Sequence, residues 1–222
     1  EMSEKPNEPD FYARTKQAEL IIVECKAIKM NGECRDDGDY IRLLDELHEK
    51  IVFKTRNLDK NRKACSLQPK PIGIGQLIKH IDSIEADSFE WDENIPNDVS
   101  YYPILVFEDV RLLQPGFLSI LNRWYYEEIA KMPEMILTDM DCKPIIPVSI
   151  NTLYLHDNLI RKEGLPNIID SFIARNASFD KLTGKYKINE LADFDDYLRK
   201  FPFNKSNDIE KWLHKVMKKS NS

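Results

Sequence analysis

The sequence predicts an α/β fold with a mostly helical C-terminal part. Three observations support this: two strand-like runs near the start, helices alternating with a buried strand in the middle, and helical spacing of apolar residues from about residue 158 onward. The chain has 222 residues, 42% of them hydrophobic, which is enough for a buried core. We place an α/β core at 1–150 and a helical extension packed on that core at 151–222.

The first half of the chain reads as two strands followed by two helices. Residues 11–14 and 18–27 are rich in β-branched and aromatic side chains, and the three residues TKQ between them form the turn. Asp39 is a favourable N-cap for a helix over 40–54, because apolar residues recur there at helical spacing. A second helix begins at 73–75 and carries Ile74, Leu77, Ile78, Ile81 and Ile84.

The second half begins with a short buried strand and becomes helical. Residues 101–108 (YYPILVFE) predict the strand, and Pro115 begins a helix that carries large apolar side chains. Residues 145–155 hold another strand-like run that Pro147 interrupts. Helical spacing then continues to a last, basic helix over 208–218.

Charge is unevenly distributed along the chain. The net charge of −6 argues at first against a nucleic-acid partner. Residues 82–109, however, hold nine acids and no Lys or Arg, whereas residues 50–80 hold one acid, Asp59. The cations of that second stretch are Lys50, Lys54, Arg56, Lys60, Arg62, Lys63, Lys70 and Lys79. One region of an acidic molecule could therefore receive phosphates, although a solvated surface explains most charge runs.

Compartment and membrane association follow from two simple features. No apolar run exceeds about five residues, whereas a membrane span needs roughly 20, so we expect a soluble protein with no membrane partner. Cys25, Cys34, Cys65 and Cys142 form no C-x-x-C pair, which argues against structural zinc and fits a reducing cytoplasm. The expected location is therefore cytoplasmic.

Two acids and a lysine converge if residues 11–14 and 18–27 form a hairpin. Glu24 and Lys26 project from one face of a strand, and a hairpin centred on Gln17 sets Asp10 opposite Glu24. Two carboxylates suit a hard cation such as Mg²⁺ (or Mn²⁺), and the lysine could orient or help to deprotonate an attacking water. The alternative is a surface salt bridge between Glu24 and Lys26, with Asp10 as a turn residue.

Pro9, Asp10, Glu24 and Lys26 resemble the PD-(D/E)xK nuclease superfamily, which has the restriction-endonuclease-like fold. The resemblance implies a mixed central sheet flanked by helices, with Asp10 and Glu24 as metal ligands. It also implies that the Cys25 backbone carbonyl is a ligand and that Lys26 lies beside the attacking water. Only nine residues precede Asp10, so we expect the core to lack the helix and strand that the family places there.

Gln76 extends the resemblance. Many members carry a glutamine on the helix that follows the acid-x-Lys strand, often as Q-x-x-x-Y, which adds Gln76 to the implied catalytic residues. Here the fourth position holds His80, which departs from the exonuclease-like subfamilies that carry the tyrosine. The alternatives are an exposed helix residue for Gln76 and a surface or core histidine for His80.

Other groups are weaker candidates. Glu108 and Asp109, at the end of the buried strand, could approach an active face. Trp124, Tyr125 and Tyr126 could stack on bases, but their helical spacing favours the core. A second acid-x-Lys triplet at 141–143 precedes its apolar run and has no Pro-Asp partner, so we assign it to the surface.

The leading hypothesis is a metal-dependent nuclease that hydrolyses DNA phosphodiester bonds, with restriction or defence as a setting by analogy only. The cations expected to track the DNA backbone are Lys54, Arg56, Lys60, Arg62, Lys63, Lys70 and Lys79. One alternative is a catalytically inactive nuclease-like module that binds nucleic acid or assembles into a larger complex, and a homodimer is also open. Another is a helical interaction protein in which Asp10 and Glu24 lie far apart.

Overall fold

The computed structural model describes residues 8–29, 38–54, 70–132, 140–181 and 183–204. The strands are β1 (Phe11–Arg14), β2 (Glu19–Lys26), β3 (Phe53–Lys54), β4 (Lys70–Pro71), β5 (Ser100–Phe107), β6 (Asp141–Cys142), β7 (Ile146–Ser149), β8 (Ala177–Asp180) and β9 (Lys185–Ile188). The helices are α1 (Tyr40–Ile51), α2 (Ile74–Glu85), α3 (Phe117–Ile129), α4 (Ile150–Leu155), α5 (Asp157–Glu163), α6 (Leu165–Asn176) and α7 (Phe194–Asn204). A single 3₁₀ turn at Val110–Leu112 follows β5.

The central sheet is mixed, which confirms the predicted α/β class. Its strand order is β1-β2-β5-β6, and β7 also pairs with β5. β1 runs antiparallel to β2, whereas β2, β6 and β7 are all parallel to β5. Parallel neighbours need a crossover connection, and α1 and α2 lie between β2 and β5 in the chain. Seven of the eight residues of β5 are buried, as expected for a central strand covered on both faces.

The core consists of two apolar clusters on opposite faces of the sheet. Alternation along β2 divides its side chains between them: Leu20 and Ile22 join the cluster that includes residues of α1, α2 and α3. Ile21 and Val23 join the cluster that includes residues of α6 and α7. The sheet is therefore covered by helices on both faces. The boundary between a core at 1–150 and an extension at 151–222 stays a prediction.

The helix predicted over 40–54 has the expected start but a different end. The Asp39 carboxylate accepts the N–H groups of Ile41 and Arg42, both at 3.1 Å, as an N-cap should. The helix ends at Ile51 rather than at residue 54, because β3 follows at once and pairs antiparallel with β4. Further along the chain, α3 begins at Phe117, two residues after the predicted Pro115.

The prediction of a strand over 145–155 is wrong in its second half. β7 ends at Ser149, whose hydroxyl accepts the Thr152 N–H at 3.0 Å and begins α4. The part of the chain after 158 also contains the β8–β9 hairpin, which helical spacing did not predict. The predicted basic helix over 208–218 lies outside the described residues. Within the described ranges, no helix has the length and apolar character needed to cross a membrane.

Candidate active site

The β1–β2 hairpin brings the two predicted acids together. Phe11 pairs with Val23 and Arg14 pairs with Leu20, which is the register predicted for a hairpin centred on Gln17. One further step along both strands places Asp10 beside Glu24. The Oδ2 atom of Asp10 accepts the backbone N–H of Cys25 at 2.7 Å, and this bond fixes the acid at the end of the hairpin.

Glu24 is a fully buried carboxylate with a partner on each oxygen. Its side chain is 0% exposed, so the alternative of a surface salt bridge is wrong. Lys26 Nζ donates to Oε2 at 3.0 Å, and His80 Nε2 lies 3.1 Å from Oε1. A buried carboxylate without such partners would be costly, because protein replaces the water that solvates the ion elsewhere. The two contacts therefore hold the carboxylate in one orientation.

Lys26 joins β2 to the first turn of α2. Its ammonium also donates to Oε1 of Gln76 at 2.8 Å, and the same oxygen accepts the Gly73 N–H at 3.0 Å. Gly73 has φ +47°, and a Cβ there would lie 2.5 Å from the Ile51 carbonyl oxygen, so glycine is required at this turn. The turn therefore aims the amide oxygen of Gln76 at the lysine.

The Cys25 thiol lies within the field of both acids. Cys25 is exposed, yet partial burial raises the pKa of its thiol, and the charges of Asp10 and then Glu24 raise it further. Lys26 acts in the opposite direction.

The donor set fits a hard divalent cation that keeps most of its waters. Asp10 and Glu24 offer carboxylate oxygens at the same end of the hairpin, and Mg²⁺ is commonly held by one or two carboxylates. No group of three or more His, Cys, Asp or Glu side chains in the described part of the chain is arranged to hold a metal. The roles of Asp10, Glu24 and the Cys25 carbonyl as metal ligands stay predictions.

His80 is a buried histidine that contacts Glu24, which agrees with the core alternative and contradicts the surface one. It lies one turn after Gln76 on α2, is 2% exposed, and packs edge-on against the Phe89 ring with 6.4 Å between ring centres. The one signal in the sequence is the spacing of four residues from Gln76, which places both side chains on one helix face. The partner of His80, Glu24, lies 56 residues earlier, so local patterns could not identify the pair.

The weaker candidates do not join the site through any described contact. Asp109 caps the 3₁₀ turn and pairs with the Arg111 guanidinium, whose hydrogen bonds lower the pKa of the carboxyl to about 2. Glu108 is exposed. Trp124 and Tyr125 are buried, as the preferred core assignment predicted, and Tyr126 is half-buried.

The second acid-x-Lys triplet lies beside the opposite end of β5 from the first. Asp141 pairs in register with Ser100, the first residue of β5, whereas Lys26 pairs with Phe107, the last. Lys143 forms an ion pair with Asp141 at 2.8 Å, and the Asp141 side chain is 45% exposed. The chain thus carries two acid-x-Lys triplets, one with a buried acid and one with an exposed acid.

Most of the predicted DNA-contacting cations lie outside the described residues. Lys70 and Lys79 are exposed, on β4 and α2 respectively. The backbone of Lys54 pairs with Lys70, which precedes the turn at Gly73 by three residues. The side chain of Lys54 and the residues Arg56, Lys60, Arg62 and Lys63 lie outside the described part.

The geometry distinguishes between two of the alternative functions. The helical interaction protein was expected to separate Asp10 from Glu24, and that expectation is wrong, since the hairpin makes them neighbours. The inactive nuclease-like module predicts the same cluster as an active enzyme and stays open.

Comparison of the chain with protein-family models, curated proteins and solved structures finds no match.

Proposed function

We propose that this protein is a metal-dependent nuclease of the restriction-endonuclease-like, PD-(D/E)xK class, which hydrolyses DNA phosphodiester bonds. The observation that supports it most is the contact network that joins Asp10, Glu24, Lys26 and Gln76 at the end of one hairpin. A buried carboxylate paired with a lysine that a third side chain also holds is an arrangement often found at functional sites.

Each residue has a distinct part in the proposed reaction. Asp10 and Glu24 would hold Mg²⁺ (or Mn²⁺), which supplies positive charge against the phosphate when bound. The Lys26 ammonium, fixed by Glu24 and Gln76, would orient the attacking water and stabilise the negative charge that develops on the phosphate oxygens. Gln76 would position the lysine rather than touch the substrate.

DNA is the proposed substrate because the cationic stretch of the sequence begins and ends beside this cluster. Residues 54 and 70 are paired, and α2, which carries Gln76, begins four residues after β4 starts. Lys70, on β4, and Lys79, in the middle of α2, are exposed. Phosphate contacts by such cations position a nucleic acid without reading its sequence.

Cleavage assays with matched variants test the proposal. Purified protein should cleave DNA in the presence of Mg²⁺ and lose that activity with EDTA. Asp10→Asn, Glu24→Gln and Lys26→Met should each lower the rate by at least about 100-fold, because the first two weaken the binding of the metal and the third removes the cation beside the reacting phosphate. Asp141→Asn and Lys143→Met are the matched controls from the second triplet and should cleave at the wild-type rate. Equal cleavage by all five variants would refute the assignment.

The inactive nuclease-like module is a second candidate, favoured by one observation. Both oxygens of Glu24 are already engaged, by Lys26 and by His80, in a side chain that is 0% exposed. Salt-dependent DNA binding by the wild type without cleavage in Mg²⁺ or Mn²⁺ would select this candidate over the enzyme.

A further inference from the structure

We propose that His80 is a positioning residue that sets the orientation of the Glu24 carboxylate and thereby the affinity of the site for a divalent cation. This inference rests on the proposed metal site and adds to it a residue from a different element. It starts from the contact between His80 Nε2 and Glu24 Oε1 at 3.1 Å, which joins two side chains with exposures of 2% and 0%.

The direction of this hydrogen bond follows from the chemistry of the two groups. An ionised carboxylate only accepts hydrogen bonds, so Nε2 of His80 carries the donated proton. Lys26 donates to the other carboxylate oxygen, Oε2. Each oxygen retains a second lone pair for a cation, and the two donors fix the plane in which those lone pairs lie.

The His80 ring is itself held by the core. Its helix packs through Leu77 and Ile81, both 0% exposed, and the ring meets the Phe89 ring edge-on. Phe89 in turn packs against Tyr12 of β1, with 5.2 Å between ring centres. These packing contacts hold the imidazole beside Oε1.

Loss of His80 would release the carboxylate toward the lysine. Without the donor on Oε1, both oxygens of Glu24 could turn to the Lys26 ammonium, which already lies 3.0 Å from Oε2. That movement would draw the carboxylate away from a cation held jointly with Asp10. Gln76 acts differently, because it contacts the lysine and not the carboxylate.

Measurements of metal affinity distinguish the role of His80 from that of Gln76. Mn²⁺ and Mg²⁺ titrations by calorimetry on His80→Leu should show affinity lower by about 10- to 100-fold, the usual effect of removing a partner of a metal ligand. His80→Gln, whose amide nitrogen can reach the position of Nε2, should restore most of that loss, whereas the shorter His80→Asn should not. Gln76→Leu should leave metal affinity within about twofold and lower only the cleavage rate at saturating Mg²⁺.

Melting in EDTA establishes that each variant is folded before metal is added. If His80→Leu does not fold, the contrast between His80→Gln and His80→Asn decides the question in its place. Wild-type affinity in the folded variants that lack a donor would overturn the role of His80, whatever the protein does to DNA. A wild type that binds Mn²⁺ without cleaving DNA would refute the nuclease and leave the His80 comparison intact, and a wild type that binds no metal would refute both.

Discussion

Glu24 is the residue that connects the strand and helix residues of the site. It contacts Lys26 on its own strand and His80 on α2, and it shares the end of the hairpin with Asp10. A single exposed ion pair contributes at most about 1 kcal/mol, but a buried carboxylate that loses its partners is costly. Substitutions at Glu24 therefore affect both stability and chemistry, which is why isosteric Glu24→Gln is more informative than Glu24→Ala.

The reactivity of Cys25 reports on the two acids without any need for catalysis. Because burial, and after it the charges of Asp10 and Glu24, raise the pKa of this thiol, less of it is thiolate at pH 8 than in a free cysteine. Asp10→Asn or Glu24→Gln removes one such charge, lowers the pKa and increases the thiolate fraction. We expect maleimide labelling at pH 8 to become several-fold faster in both variants, measured in a Cys34→Ser, Cys65→Ser background.

Cys142 provides the internal control for that experiment. Burial raises the pKa of its thiol to about 12, so it should stay unlabelled at pH 8 until the protein unfolds. Labelling of Cys25 at one unchanged rate in the wild type and in both variants would mean that the acids do not act on it. Fast labelling of native Cys142 would contradict its burial.

At the level of residues, the sequence predicted that Asp10, Glu24 and Lys26 converge, but it did not predict the contact between Glu24 and His80 of α2. Asp10, Glu24 and Lys26 could be related because a hairpin has period two and a fixed centre, so register follows from counting. His80 could not be related to Glu24 in this way. Their contact depends on how α2 packs on the sheet, which no local spacing specifies.

Among the elements, α2 begins in close backbone contact with the end of α1. Gly73 and Gly75 lie under the end of α1, where a Cβ on either would come within 2.5 Å of a backbone oxygen of Ile51 or Val52. Backbone atoms cannot move aside as a flexible side chain can. These glycines therefore allow the start of α2 to approach the end of α1 closely, and this approach determines where Gln76 contacts Lys26.

Gly73→Ala should destabilise the fold and displace Gln76. The strain of a positive φ costs about 1–2 kcal/mol, and the clash with Ile51 adds about 1–3 kcal/mol. Gly184→Ala is the matched control, since Gly184 has φ +65° but no neighbouring atom within 4 Å of the position that a Cβ would take. We expect urea denaturation to show a larger loss at Gly73, and equal losses would argue against the close contact.

The Ser149 cap should contribute more than the Asp39 cap, because it joins two helices. Ser149 is 1% exposed; its hydroxyl donates to Thr152 Oγ1 at 2.8 Å, and Thr152 donates to Asp195 of α7 at 2.7 Å. Ser149→Ala should lower the free energy of unfolding by about 2 kcal/mol, and Asp39→Ala, at an exposed cap, by about 1 kcal/mol.

Thermal or urea unfolding of both variants measures that difference. A loss at Asp39 equal to that at Ser149 would mean that the contact with α7 adds nothing.

Element prediction succeeded where one local signal dominated and failed where two conflicted. The Asp39 cap and the apolar spacing of α1 agree, and that helix begins where expected. Across 145–155 the β-branched residues favoured a strand, but the Ser149 cap turned the chain into a helix. The β8–β9 hairpin does alternate, since ASFD and KYKI place an apolar residue at every second position, but each strand has only four residues and β8 follows directly on the apolar helical spacing of α6.

For the whole molecule, β5, like β2, contributes side chains to both apolar clusters. Tyr101, Leu105 and Phe107 belong to one cluster, whereas Tyr102, Ile104 and Val106 belong to the other. A strand that contributes to both faces cannot leave one cluster intact while the other unfolds. The described ranges should therefore unfold as one cooperative unit.

Phe172→Ala tests that cooperativity across the sheet. Phe172 is 1% exposed and packs against Phe194 and Tyr197 at 5.3 and 5.2 Å between ring centres, so its loss should cost about 3–5 kcal/mol. Trp124, in the other cluster, should report the same lowered urea midpoint as circular dichroism does. Its fluorescence is isolated by Trp91→Phe and Trp212→Phe, and an unshifted Trp124 midpoint would indicate two independent units.

At this scale the sequence predicted the class of the fold and the segregation of charge, but not the pairing of distant strands. The parallel β2–β5 and β5–β7 ladders are contacts between segments far apart in the chain, and apolar runs alone do not indicate which strands adjoin. Helix packing on both faces follows from that pairing.

The order in which the site forms follows from how far apart its partners lie in the chain. Asp10 and the Cys25 amide are 15 residues apart, whereas Lys26 and Gln76 are separated by 50 and Glu24 and His80 by 56. Closing a short loop costs less entropy than closing a long one, so the hairpin can form while α2 is still being synthesised. A nascent chain would thus present paired acids before their lysine is restrained, and the cluster would be complete only when α2 docks.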